Sequence, residues 1–144
     1  MPKSPRPQLG FLWLFLSPFG RLSRQPFWLA MGLMWCIMFI AFNVTAGQVL
    51  SSIDPNTATP ITIDHFISQN SLLPFMIPAT KVFELALVIK RLQDRGWNGF
   101  LALFTFLPLL NFLFIFFVGI QPSEKGPNKY GPTPDSKYTR TRNK

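Results

Sequence analysis

One cysteine and one histidine are all that 144 residues contain of either. A lone Cys36 excludes an internal disulfide and leaves no thiolate cluster for a metal. Lying inside an apolar stretch, it reads as a packing residue. Acidic residues are also scarce, six against fourteen basic ones. No pair of free carboxylates stands at catalytic spacing, no nucleophile sits beside a candidate base, and no glycine loop could cradle a phosphate. The chain therefore reads as a non-enzyme with no cofactor and no metal site. The most telling gap runs from Gln25 to Thr80, where Lys and Arg are absent although the net charge is +8. Such silence marks the non-cytoplasmic loop of a membrane protein.

What is present agrees with this. With 48% hydrophobic residues, 14% charged ones and sixteen Phe, a soluble domain of this size would carry uncovered apolar surface. Apolar segments at about 27–45 and 72–89 flank the silent stretch. Basic clusters stand at their outer ends, Arg21 and Arg24 before the first and Lys90, Arg91 and Arg95 after the second. The positive-inside rule places both clusters in the cytoplasm. A third apolar segment covers 99–120, and each segment is close to the ~20 residues that span ~30 Å of hydrocarbon. The expected fold is all-α, a small polytopic membrane protein with about three transmembrane helices.

A short interfacial helix at 9–19 precedes them; at about 1.5 Å per residue it cannot cross a bilayer. Residues 1–8 read as a mobile basic tail, 9–125 as the helical membrane domain, and 126–144 as a motif turn with a basic C-terminal tail. Pro18 interrupts the only early apolar run, so the N-terminus is expected to be retained rather than cleaved. Gly32 and Cys36, four apart, would permit close helix approach. Asn43-Val44-Thr45 matches a glycosylation acceptor in letters only, and the external connection 46–71 has room for a short amphipathic turn near 61–67. Basic residues beside apolar segments favour anionic lipid headgroups as the counter-charge over nucleic acid.

The second span carries Lys81 and Glu84 inside what should be hydrocarbon. At 100° per residue, Lys81, Glu84, Val88, Arg91 and Arg95 fall within about 80° of one another. An intramembrane charge costs about 2.5–3.5 kcal/mol on insertion scales, so this face must look at protein or water. Three readings stay open: a neutralised Lys81–Glu84 pair that locks helix packing, a polar pocket or ion path continuing to Arg91, and snorkelling of Lys81.

The third segment is interrupted by Pro108-Leu109-Leu110-Asn111. One reading is a span kinked at the proline, preferred because non-helical backbone at membrane depth must be enclosed by protein. The other is a re-entrant hairpin, preferred by charge, because it returns Lys125, Lys129 and the basic tail to the side of Arg21 and Arg91.

Three stretches at the segment edges form an ordered set: 19–28 with Gly20, Arg21, Arg24, Phe27 and Trp28; 90–99 with Arg91, Leu92, Asp94 and Gly96; and 126–134 with Asn128, Lys129, Tyr130, Gly131 and Pro132. Their order and spacing over nearly the whole chain resemble the YhaH-like bacterial inner-membrane family, catalogued as domain of unknown function 805. The resemblance implies a small, multi-pass helical protein of the bacterial inner membrane and brings no activity with it. The family's middle motif usually reads Arg-Arg-Leu-His-Asp. Here Gln93 stands in place of the histidine, so no proton transfer carries over to this position, and His65 belongs to the opposite side.

As headgroup-level fixtures, Gly20 would end the interfacial helix so that Arg21 and Arg24 face lipid phosphates, with Lys90, Arg91 and Arg95 completing a basic belt. Trp28 would fix the depth of the first span, and Arg91 and Asp94, three apart, can pair. The reading these features favour is a structural, scaffolding or envelope-assembly protein. Its partners would be membrane lipids, a second copy of the chain or other membrane subunits. The alternative is an oligomeric transporter or channel subunit using the Lys81, Glu84 and Arg91 face.

Overall fold

The computed structural model describes residues 10–53 and 60–137. Expectations for the tail 1–8, for Asp54 and its neighbours in the external connection, and for the basic end 138–144 lie outside the described residues. Regular structure is helical: α1 (Phe11–Leu16), α2 (Arg24–Ser52), α3 (Ile63–Gln69), α4 (Leu73–Asp94), a 3-10 helix (Gly99–Phe106) and α5 (Pro108–Ile120). The described residues divide into two compact units, one of 10–31 with 82–137 and one of Gly32–Lys81.

α2 is apolar on all sides, as a helix surrounded by lipid is. Its most apolar stretch is only 22% buried within the protein, whereas a core helix of a soluble domain would be mostly covered. With 29 residues it measures about 44 Å, more than the ~30 Å of hydrocarbon. In the unit Gly32–Lys81, Thr45 Oγ1 donates to Ala41 O at 2.8 Å and accepts from Asn70 Nδ2 at 2.9 Å. Phe42 stacks on Phe66 of α3 with ring centroids 5.7 Å apart. The turn expected near 61–67 is α3, opened by a reciprocal cap between Thr62 and His65. A sharp bend separates it from α4, and the two together make a second candidate span. α4 continues through Pro78.

Two packing expectations fail here. Cys36 is exposed, not packed. A Cβ built on Gly32 would meet nothing within 4 Å, so no helix of the described chain uses the Gly32–Cys36 pair for close approach.

The other unit is built around the end of α4, which is covered on nearly every side from Ala86 to Asp94. Leu22, Phe27, Met31, Leu87, Val88, Leu92, Ile115 and Val118 form its apolar core. α1 buries Trp13 and Phe15 and leaves Phe11, Leu12 and Leu16 exposed, the distribution of an interfacial helix.

The segment 99–120 is a helical hairpin and not one kinked span. Leu107 is extended at φ −86°, ψ 111°, the conformation that a following proline imposes. Pro108 then starts α5 at a first-turn position where its missing N–H costs nothing. The two arms run antiparallel: Trp97 stacks on Phe117 at 6.0 Å, and Phe104 packs on Phe114 at 5.6 Å nearer the tip. α5, with 13 residues, is about 20 Å long and could not cross alone. The 3-10 arm has three residues per turn, so Gly99, Ala102 and Thr105 share a face. Ala102 and Thr105 are its buried residues. α5 turns Asn111, Ile115, Val118 and Gly119 inward, the i, i+4, i+7, i+8 stripe of a packed helix.

Candidate functional site

The hairpin brings residues 121–137 back to the end of α4, and there the three motif stretches meet. The end of α4 is set by a left-handed glycine. Gly96 has φ +71°, its N–H donates to Gln93 O, and the N–H of Trp97 donates to Leu92 O, both at 3.0 Å. This is a Schellman closure. The next carbonyl, that of Asp94, accepts the N–H of Glu124 at 3.1 Å.

At the centre Asp94, fully buried, lies between two fully buried guanidinium groups. Arg21 Nε donates to Asp94 Oδ1 at 3.1 Å, and Arg91 Nη1 to Oδ2 at 2.6 Å. One carboxylate faces two cations, so the trio carries a net positive charge that needs further solvation. Main-chain carbonyls provide it. Arg21 Nη1 donates to Gly126 O at 2.6 Å and Gly131 O at 3.2 Å, and Nη2 to Glu124 O at 2.7 Å. Arg91 Nη1 donates to Leu22 O at 3.2 Å, and Nη2 to Gln121 O. The planar fork of arginine suits several fixed acceptors at once; a lysine ammonium could not reach them all.

Around this trio the backbone is fastened by short polar contacts. The Arg21 N–H donates to Ser136 O at 2.9 Å. Gly20, at φ +120°, has no room for a side chain: a Cβ would lie 2.6 Å from Ser136 O and 2.8 Å from Trp13 Cζ2. Asn128 Nδ2 donates to Gln93 O at 3.0 Å and to Glu124 Oε2 at 2.8 Å, and Asn128 and Gly131 close their turn as a β-bridge. Asp135 accepts from the Ser23 N–H at 2.8 Å and from its hydroxyl at 2.7 Å, a carboxylate placed at the N-terminus of α2. Lys90, also fully buried, donates to Trp13 O at 2.7 Å and to Leu14 O. It thereby satisfies carbonyls that the short α1 leaves open, and its ammonium lies 4.6 Å from the Trp13 ring centroid.

A family model described as "Protein of unknown function (DUF805)" matches residues 15–132, which include the first two motif stretches and the third as far as Pro132. The chain belongs to the DUF805 family. Among curated proteins, the "Inner membrane protein YhaI" of Escherichia coli strain K12 is 27% identical over 115 residues, 80% of this chain and 83% of that protein. The protein of the same name from Escherichia coli O157:H7 gives the same values. No solved structure matches. This DUF805 protein is an all-helical protein of the inner membrane, and among its described residues one helix, or two if the bent α3–α4 pair is one span, is a candidate to cross it.

Placed in this geometry, the motif residues separate into three groups. Gly20, Arg21, Phe27, Arg91, Leu92, Asp94 and Gly131 are buried, whereas Arg24, Lys129 and Pro132 are exposed, and Trp28, Gly96, Asn128 and Tyr130 are half-buried. The basic belt facing lipid phosphates is therefore corrected. Arg21, Lys90 and Arg91 point into the protein because each finds buried carbonyls or a carboxylate there, and of the belt only Arg24 is exposed, with Arg95 partly so. Trp28 packs beneath the hairpin, where a Cβ on Gly119 would come within 2.5 Å of its ring.

Arg91 is also removed from the supposed polar lining with Lys81 and Glu84. Glu84 is buried and Lys81 half-buried on α4. Gln93 has a structural task in the DUF805 junction: its Oε1 accepts the Gly20 N–H at 3.2 Å. Sequence reading missed Glu124, Asp135 and Ser136. The available signal was a carboxylate and a serine just beyond a proline-rich turn, a composition that favours side-chain to backbone bonds.

Proposed function

We propose that this DUF805 protein is a non-enzymatic scaffold of the inner membrane, which holds an apolar hairpin and its membrane helices in fixed geometry for lipid or for partner subunits. One observation carries the reading: the three buried motif charges, Arg21, Arg91 and Asp94, are spent on each other. Arg21, Asp94 and Arg91 are bonded to one another and to main-chain carbonyls of 22 and 121–131, which fixes the hairpin and shuts the three groups away from solvent; of their polar atoms Arg91 Nε alone lacks a hydrogen-bond partner among the described residues. The hairpin meanwhile exposes Phe100, Leu109, Phe112, Leu113 and Phe116, a surface suited to lipid tails or to helices of another subunit, including a second copy. The same enclosure of Arg91 weighs against a lining shared with Lys81 and Glu84.

In-membrane photo-crosslinking tests the proposal. A photoreactive residue at Leu113 should give one discrete protein product, self or other, identified by mass. If Leu113 gives the same diffuse lipid-only pattern as exposed Leu33 of α2, and the reconstituted chain carries ions across vesicles, the scaffold reading fails.

A further inference from the structure

Beside the junction, α4, the 3-10 arm and the chain after α1 enclose a groove of about 410 Å³, within the ~300–1,000 Å³ range of ligand pockets. Its walls are Leu85 and Ile89 of α4, Leu103 and Ala102 of the 3-10 arm, and Phe19 and Phe100, which stand exposed at its edge. Gln93 and Tyr130 also line it, and none of its lining residues is acidic. The Gln93 amide is anchored through Oε1 to the Gly20 N–H, which orients the opposite Nε2 donor. That atom lies 3.6 Å from where a Cβ on Gly99 would be, and Ile89 Cγ2 lies 3.0 Å from the same point. The missing side chain of Gly99 thus keeps the amide open to the groove. Next in sequence to the lining Tyr130, Lys129 holds its ammonium 4.9 Å from that ring's centroid, with its side chain exposed.

An apolar groove with the Gln93 amide in its wall and a cation beside its lining tyrosine has the chemistry of one amphipathic anion. We propose that this groove binds one acyl chain of an anionic diacyl phospholipid, with the headgroup held at Lys129, Tyr130 and Gln93. This deepens the scaffold reading by naming the lipid and its seat. Gly99 sets the depth available to the chain, and Lys129 sets the preference for negative charge. Neither residue belongs to the Arg21–Asp94–Arg91 trio, so occupancy can be changed without opening the junction.

The full chain in nanodiscs of equal palmitoyl-oleoyl phosphatidylglycerol and phosphatidylethanolamine, released into a native mass spectrometer, tests this. The parent should retain one phosphatidylglycerol. Gly99→Leu, which fills the groove, should lower retention at least about tenfold, since most of the apolar contact is lost. Lys129→Gln, an exposed change that leaves the fold alone, should lower the preference for phosphatidylglycerol about fivefold. A millimolar excess of glycerol 3-phosphate should leave the lipid in place. The proposal is overturned if the parent retains no phospholipid or both lipids equally, if Lys129→Gln keeps the full preference, or if glycerol 3-phosphate displaces the lipid. A discrete Leu113 crosslink with no retained lipid would overturn this site and leave the scaffold standing.

Discussion

Replacing Asp94 by asparagine should be the most damaging single polar change in the protein. The carboxylate is the common partner of Arg21 and Arg91, at 3.1 and 2.6 Å, and all these side chains are fully buried. Asp94→Asn leaves two guanidinium groups facing one another with only carbonyl dipoles for compensation. Breaking a buried ion pair from one side typically costs about 3–5 kcal/mol, which for a chain of this size lowers the unfolding midpoint on the order of 10 °C. Arg21→Gln should cost less, because Arg91 and Asp94 remain a neutral pair and only the acceptors at 124, 126 and 131 lose their donor. The double variant should fall short of the sum by about 1 kcal/mol or more, since the second change relieves the repulsion that the first creates. Thermal unfolding of the full chain in detergent, followed by circular dichroism, measures all of these. Exposed Arg24→Gln serves as the reference, expected within about 0.5 kcal/mol of the parent. An Asp94→Asn shift no larger than that of Arg24→Gln would refute the reasoning.

Other changes probe the joints around the trio. Gly119→Val should undock α5, because even its Cβ would stand 2.5 Å from Trp28 Cζ2. We expect a loss of about 1–3 kcal/mol in the same melt, partly recovered by adding Trp28→Ala; no recovery would place the fault elsewhere. Lys90→Met should free α1, seen as faster amide exchange across 11–16 while α4 stays protected, and unchanged exchange would show that the Lys90 bonds to Trp13 and Leu14 do not hold it. In sealed vesicles, with Cys36 changed to Ser, Lys125→Cys and Arg24→Cys should label from the same side. Labelling from opposite sides would restore a third crossing and dismiss the hairpin.

Much of the membrane architecture was legible because it rests on composition and length. α2 and α4 announce themselves by apolar runs with basic ends, and α1 by being too short to span. The direction of the arginines was not legible. Sequence places Arg21 beside a membrane segment, where lipid phosphate is the obvious partner, but its carboxylate lies 73 positions away at Asp94 and its carbonyls farther still. Only a chain that returns at 121–131 supplies them. The hairpin hinged on a period: Gly99, Ala102 and Thr105 recur every three residues, the repeat of a 3-10 helix, and a reading at 100° per residue blurs them into an apolar span. Gly32 and Cys36 mislead in the opposite sense, since small residues permit close approach without requiring it.

The hairpin also answers the steric objection raised against it. Non-helical backbone at membrane depth must find internal partners, and the break at 107 is brief enough to find them nearby. Leu107 O accepts the N–H groups of Leu110 and Asn111, at 3.0 and 2.8 Å, and the Leu107 N–H donates to Phe104 O at 3.2 Å. Thr105 Oγ1 donates to Ala102 O at 2.7 Å inside the packed face. A turn satisfied this locally needs little surrounding protein, so a short chain can hold one. What it does need is a fixed base, because two short arms cannot anchor themselves across the bilayer. The trio provides that base by coupling the exit of α4 to the return of α5, through Glu124 on Asp94 and Gln121 on Arg91. On this view the charges of the DUF805 motifs and the length of the hairpin are one device. A hairpin too short to span has to be held at its base, and a net-positive buried trio is stable only where the returning chain brings its carbonyls.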